Sequence, residues 1–187
     1  LSNNQQQEAG MKFWLYLMMV IGAAAMSGCF GVKNSANLPV VTNFELPRYL
    51  GTWYEVVRLP HHFEHGLDNV TATYSMRDDG GVNVLNRGRT ASGVWREARG
   101  RAYFVDNADT GLLKVTFFWP FYGEYRIVKL DPDYRWAVVT SSTTNYYWIL
   151  SRTPQMAPEK IEQLVCQAAL SGFVTSQFIY VKHDAVK

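Results

Sequence analysis

Several common signatures are missing from this sequence. Cysteine occurs only at Cys29 and Cys166 in 187 residues, so at most one disulfide could form. Lys and Arg number 18 against 16 Asp and Glu, a formal net charge of +2, and no stretch concentrates the basic residues. A nucleic-acid partner would need a basic footprint, so none is expected. The apolar run Phe13 to Ala25 holds 13 residues, where a bilayer-spanning helix needs about 20. No repeat unit and no low-complexity block appears. The length suits one well-buried domain, and nothing demands a second.

Catalytic groups are scarce as well. Three of the four histidines fall in Pro60-His61-His62-Phe63-Glu64-His65, and the fourth is His183 near the end. Three histidines on one loop could bind a metal or haem iron. No carboxylate or cysteine completes a recognisable ligand spacing, so a solvated lid is expected, with no metal and no cofactor. Nucleophile, base and orienting group are not jointly available, which argues against an enzyme.

What the N-terminus does contain reads as an address. Lys12 precedes the apolar run, which breaks at Met26-Ser27-Gly28-Cys29. A charged flank, a short apolar core and small residues make a signal peptide. The break resembles a bacterial lipobox, with Met26 where Leu is usual. That resemblance implies that Cys29 is acylated and becomes the first mature residue. Phe30 follows, where an Asp would suggest inner-membrane retention, so the outer membrane is expected, with the domain facing the periplasm. Residues 1–28 are then upstream sequence and signal peptide, with Leu1 to Gly10 ahead of a start at Met11. Residues 29–43 are the acylated cysteine and a small, polar, Pro-containing tether, and 44–187 the folded domain. With Cys29 acylated, Cys166 is expected as a small residue at the core edge.

Aromatic residues are plentiful, with 10 Phe, 11 Tyr and 6 Trp. Such side chains can fill a core or line a greasy cavity, and composition does not choose. From Gly51 onward, short β-rich runs alternate with turn chemistry. The runs are Thr52–Leu59, Asn69–Arg77, Val82–Arg89, Trp95–Val105, Leu112–Phe118, Glu124–Leu130, Arg135–Thr140 and Tyr146–Ser151. Turn segments such as Asp78-Asp79-Gly80-Gly81 and Asp131-Pro132-Asp133 separate them. Eight short strands indicate a sandwich or an up-and-down barrel. In Leu113-Lys114-Val115-Thr116-Phe117 the polar pair faces one way and the apolar three the other. Tyr146–Ser151 is apolar on both faces, as expected of a strand with an interior on one side and a cover on the other. Pro158 to Ser171 reads as a helix with Pro in its first turn and Gly172 as its stop. Ile161, Leu164, Val165 and Ala168 form its apolar stripe. Gln177 to Val181 is a final short strand.

Three short segments then carry a family resemblance. They are Gly51-Thr52-Trp53-Tyr54 at the first strand, Asp133-Tyr134 in the turn before the seventh, and Arg152 closing the eighth. Each is weak alone. In this order, beside this strand pattern, they resemble the lipocalin family over Phe44 to about Lys182. Arg48 to Glu55 and Pro120-Phe121-Tyr122-Gly123 look closest to its bacterial outer-membrane branch, related to apolipoprotein D. The resemblance implies an all-β fold: an eight-stranded antiparallel up-and-down barrel with a C-terminal α-helix and a short final strand.

It also implies roles. Gly51, Trp53, Asp133, Tyr134 and Arg152 are structural markers, with Trp53 plugging one end under a cation–π contact from Arg152. Carried strand by strand, the inward, ligand-binding positions are Ala72, Tyr74, Val84, Asn86, Ala102, Phe104, Val115, Phe117, Tyr125, Ile127, Val138, Thr140, Tyr146 and Trp148. Glu55 falls near the closed end as a hydrogen-bonded structural acid, and Phe63 belongs to the lid at the mouth. The expected function is binding, storage or transport of a fatty acid or lysophospholipid at the bacterial outer membrane, held there by the N-terminal lipid anchor. The alternatives are a lipocalin-fold enzyme acting on a lipid or isoprenoid, and an envelope protein whose barrel is filled. A homodimer stays open.

Overall fold

The computed structural model describes residues 38–184. The expected signal peptide, Cys29 and most of the expected tether lie outside that range. The described chain runs through a short helical turn α1 (Leu46–Tyr49), then β1 (Gly51–Arg58), β2 (Leu67–Met76), β3 (Val82–Thr90) and β4 (Trp95–Phe104). Next come β5 (Leu112–Phe118), β6 (Phe121–Leu130), β7 (Trp136–Thr140), β8 (Tyr147–Ser151), α2 (Pro158–Leu170) and β9 (Ile179–Tyr180). The sheet order is β2-β3-β4-β5-β6-β7-β8-β1-β9, and β1 also pairs with β2. That extra pairing closes eight antiparallel strands into a barrel, which removes the exposed edges of an open sheet.

β1 is the seam. Its first half pairs with β2, Trp53 opposite Ala72, and its second half pairs with β8 and, at Val57 and Arg58, with β9. The hairpins place the β2–β3, β4–β5 and β6–β7 turns at the end where β1 begins. The β3–β4, β5–β6 and β7–β8 connections and the loop after β1 ring the other end.

Most strand boundaries fall within two residues of those expected. β6 starts three residues early, at Phe121, because Phe118 and Phe121 pair and leave only Trp119-Pro120 to turn the chain. The last strand shrinks to two residues behind a 3-10 turn at Thr175–Gln177. α1 was not expected; four residues carry too little periodicity to announce themselves.

Two apolar clusters result. One fills the closed end and lines the interior, with Phe44, Trp53, Tyr74, Ile127, Val139 and Leu150 among its members. The other lies between the wall and α2, where Leu164 and Ala168 pack with Val57, Val138 and Ile149. Ile161 and Val165 flank them, so the whole stripe faces the barrel. Burying the one Leu of that stripe is worth about 1.5–3 kcal/mol. Cys166 departs from expectation: it is exposed, because its position on α2 points off the stripe.

Candidate ligand cavity

The closed end is built around Trp53, which is fully buried and donates its indole N–H to the Tyr49 carbonyl at 2.8 Å. The Arg152 guanidinium lies over the indole, 3.9 Å from the ring centroid. It also donates to the carbonyls of Thr52 (3.0 Å), Arg48 (2.7 Å) and Tyr134 (3.3 Å). One side chain thereby ties three segments together, and a partly desolvated cation over Trp gains more than an exposed one. Gly51 takes φ +91 beside this guanidinium, a backbone region that disfavours a Cβ. Tyr134 also holds a positive φ of 58 and accepts the Glu45 N–H on its hydroxyl. The neighbouring turn is organised by Asp131 rather than Asp133. Its carboxylate accepts the N–H groups of Asp133 and Arg135 and the Arg135 side chain, which holds it below the usual carboxylate range.

Above this plug the barrel encloses a cavity of about 820 Å³. Ala72, Tyr74, Val84, Asn86, Ala102, Val115, Phe117, Tyr125, Tyr146 and Trp148 all line it. Phe104 and Ile127 also pack into the inner cluster, but below the open space. Val138 and Thr140 do not face inward. Val138 lies in the cluster under α2, and Thr140 donates its hydroxyl to the Tyr146 carbonyl. The inward residues of β7 are Ala137 and Val139, paired with Leu130 and Ile127 of β6. Period-two alternation does not separate the faces there because α2 buries the outer one, so both faces of β7 are apolar.

Tyr49, Leu113 and Leu150 also line the cavity without having been singled out. At its floor the hydroxyls of Tyr49 and Tyr74 each lie within hydrogen-bond distance of the Tyr125 hydroxyl, at 2.7 and 2.8 Å. Burial pushes all three phenols well up, so they stay neutral. Three O–H groups sharing two contacts leave one donor unspent.

A second polar group stands in the wall nearer the mouth. Glu55 belongs here, not to the closed end. The Arg58 guanidinium donates to the carbonyls of Glu64 (2.9 Å) and Leu67 (3.1 Å). It lies 3.8 Å from Glu55 Oε2 and 3.6 Å from Glu64 Oε2. Burial, and then the charge of Glu64, push the Glu55 carboxyl well above its ordinary range; Arg58 offsets only part of this. The loop Pro60–Gly66 is only partly the solvated lid expected. His62 and His65 are exposed, but the His61 ring turns in, 3.1 Å from Glu64 and stacked on Phe63. At the rim, Phe118, Trp119 and Phe121 are 81%, 80% and 78% exposed.

Comparison with known proteins agrees with this geometry. The model of the lipocalin-like domain matches residues 44–183. The chain is 46% identical over 164 residues to outer membrane lipoprotein Blc of Citrobacter freundii, covering 87% of this chain and 93% of that one. It is 45% identical over 171 residues to outer membrane lipoprotein Blc of Escherichia coli K12, covering 88% and 97%. Among solved structures, insecticyanin from the tobacco hornworm Manduca sexta superposes with a TM-score of 0.62 at 18% identity, covering 79% of this chain and 85% of that one.

Proposed function

The chain belongs to the lipocalin family, and on that premise we propose that it binds, and so carries or stores, a single-chain amphiphile at the bacterial outer membrane. A fatty acid or lysophospholipid is the ligand class. The observation that supports this most is the cavity: about 820 Å³, walled by Ala72, Val84, Ala102, Val115 and Phe117, and closed at one end by Trp53. Sites of this size and apolar character hold small hydrophobic molecules, and each methylene removed from water contributes about 0.8 kcal/mol. With one end sealed, the acyl chain enters first and the polar head stays towards the mouth. The location follows from Met26-Ser27-Gly28-Cys29 together with relatives named as outer membrane lipoproteins. Acylation of Cys29 would supply the anchor.

Titration of the lipid-stripped protein with fatty acids and lysophospholipids of graded length tests the reading. Affinity should rise with chain length until the chain outgrows the cavity, and Trp148 fluorescence should change on binding. A two-chain phospholipid should bind far more weakly. Absence of saturable binding across the series would refute the carrier function.

A further inference from the structure

We propose that Glu55 and Glu64 form a subsite for a positively charged ammonium headgroup inside the cavity, so that the preferred ligand is an amine-bearing single-chain lipid. The inference rests on the carrier reading and names the head of its ligand. Both carboxylates line the cavity, with Glu55 3% and Glu64 4% exposed. Neither Glu55 Oε2 nor Glu64 Oε2 receives a hydrogen bond. A buried carboxylate oxygen without a donor is costly, and a cation supplied by the ligand would remove that cost.

Arg58 does not already meet this need. It sits behind the two acids rather than among the cavity-lining residues, and its best hydrogen bonds go to two carbonyls. The Glu55 and Glu64 carboxylates therefore border the cavity while Arg58 does not; the guanidinium-bearing residues that line it are Arg87 and Arg96, with Arg87 paired to Glu97 at 3.0 Å. When both acids ionise, one guanidinium balances one of the two charges, and the remaining neighbour is the His61 ring, 3.1 Å from Glu64 Oε2. Aromatic faces complete the recess. Tyr146 and Trp148 stack 5.8 Å apart and line the same cavity, and the His61 ring lies 5.2 Å from Trp148. Trp and Tyr faces attract alkylammonium groups, most strongly where water is excluded.

The charged and titratable groups around Glu55 are Glu64, Arg58 and His61, with the Tyr74 hydroxyl from β2, and His183 bonded to the Glu55 carbonyl. In the empty cavity Glu55 is pushed towards its protonated form. An arriving ammonium favours the carboxylate, so binding expels a proton and amine affinity climbs with pH.

The test uses three probes of equal chain length at neutral pH: dodecylammonium, dodecanol and dodecanoate. Dodecylammonium should bind about tenfold or more tighter than dodecanol, the size of a charge-assisted contact, and dodecanoate should lack that gain. Glu55→Gln and Glu64→Gln should each pull the amine-to-alcohol ratio towards one. Should either variant fail to fold, the parent decides alone: its ratio must rise as the pH climbs above the ordinary carboxylate range and Glu55 ionises more readily. A ratio of one or below in the parent, with dodecanol binding saturably, overturns the ammonium subsite and leaves the carrier intact. If none of the three binds, the carrier reading itself falls.

Discussion

The two ends of the barrel use the same residue types to opposite effect. At the closed end an arginine caps a tryptophan, and every donor named there has an acceptor: Arg152 bonds three carbonyls and Trp53 bonds Tyr49. Towards the mouth another arginine is buried, this time beside two carboxylates, yet Arg58 Nε and Nη1, Glu55 Oε2 and Glu64 Oε2 lack hydrogen bonds. The rings differ likewise. Trp53 is fully buried, whereas Trp119 is 80% exposed. One end has its polar groups satisfied and should contribute stability. The other holds unspent polar atoms and uncovered apolar surface, which is what a site awaiting a ligand requires.

If stability resides at the closed end, Trp53→Ala should be the most damaging change considered, costing about 3–5 kcal/mol, as for other buried large aromatics. Arg152→Ala should cost less, through lost packing on the indole and three carbonyls left without a donor. Because the two side chains touch, the double variant should lose less than the sum of the singles. Denaturant midpoints of the four proteins give the coupling. Strict additivity would mean that the plug does not work as a unit.

The closed end was also the more legible in the sequence. Trp53 and Arg152 are uncommon residues at fixed places in a strand pattern, and turn residues marked nearly every hairpin. The wall was read less well, for physical reasons. On β7 burial of both faces erased the period-two signal and put Val138 on the wrong side. Glu55 and Arg58 are three apart, so a regular strand would place them on opposite faces. The register shift between Glu55 and Val57 lets them come within 3.8 Å, and no single-sequence pattern announces a bulge. The tyrosine floor depended on Tyr49, carried by a helical turn too short to foresee.

A middle-sized test addresses the space between the ends. Val115 lines the cavity and pairs with Gly123, where an added Cβ would meet no atom within 4 Å. Val115→Trp should therefore grow into open space and weaken lipid binding about tenfold or more, while the melting temperature moves little. A large drop in melting temperature would show that the barrel is packed there, as a filled structural protein would be.

The smallest effect is expected at the rim, and it sharpens the contrast because it uses the same residue as the largest. Trp119 turns the β5–β6 hairpin with its neighbours Phe118 and Phe121 as exposed as itself. An exposed ring gives up little water contact on folding, so it contributes little to the folded state. Trp119→Ser should thus shift stability by no more than about 0.5 kcal/mol in either direction. The denaturant slope should stay unchanged, since nearly the same surface is exposed on unfolding. Trp53 and Trp119 would then differ severalfold in what their removal costs, for no reason other than where the barrel puts them. A loss above about 1 kcal/mol at Trp119 would mean that the rim aromatics are packed in solution. The mouth would then be a second structured end rather than an entrance.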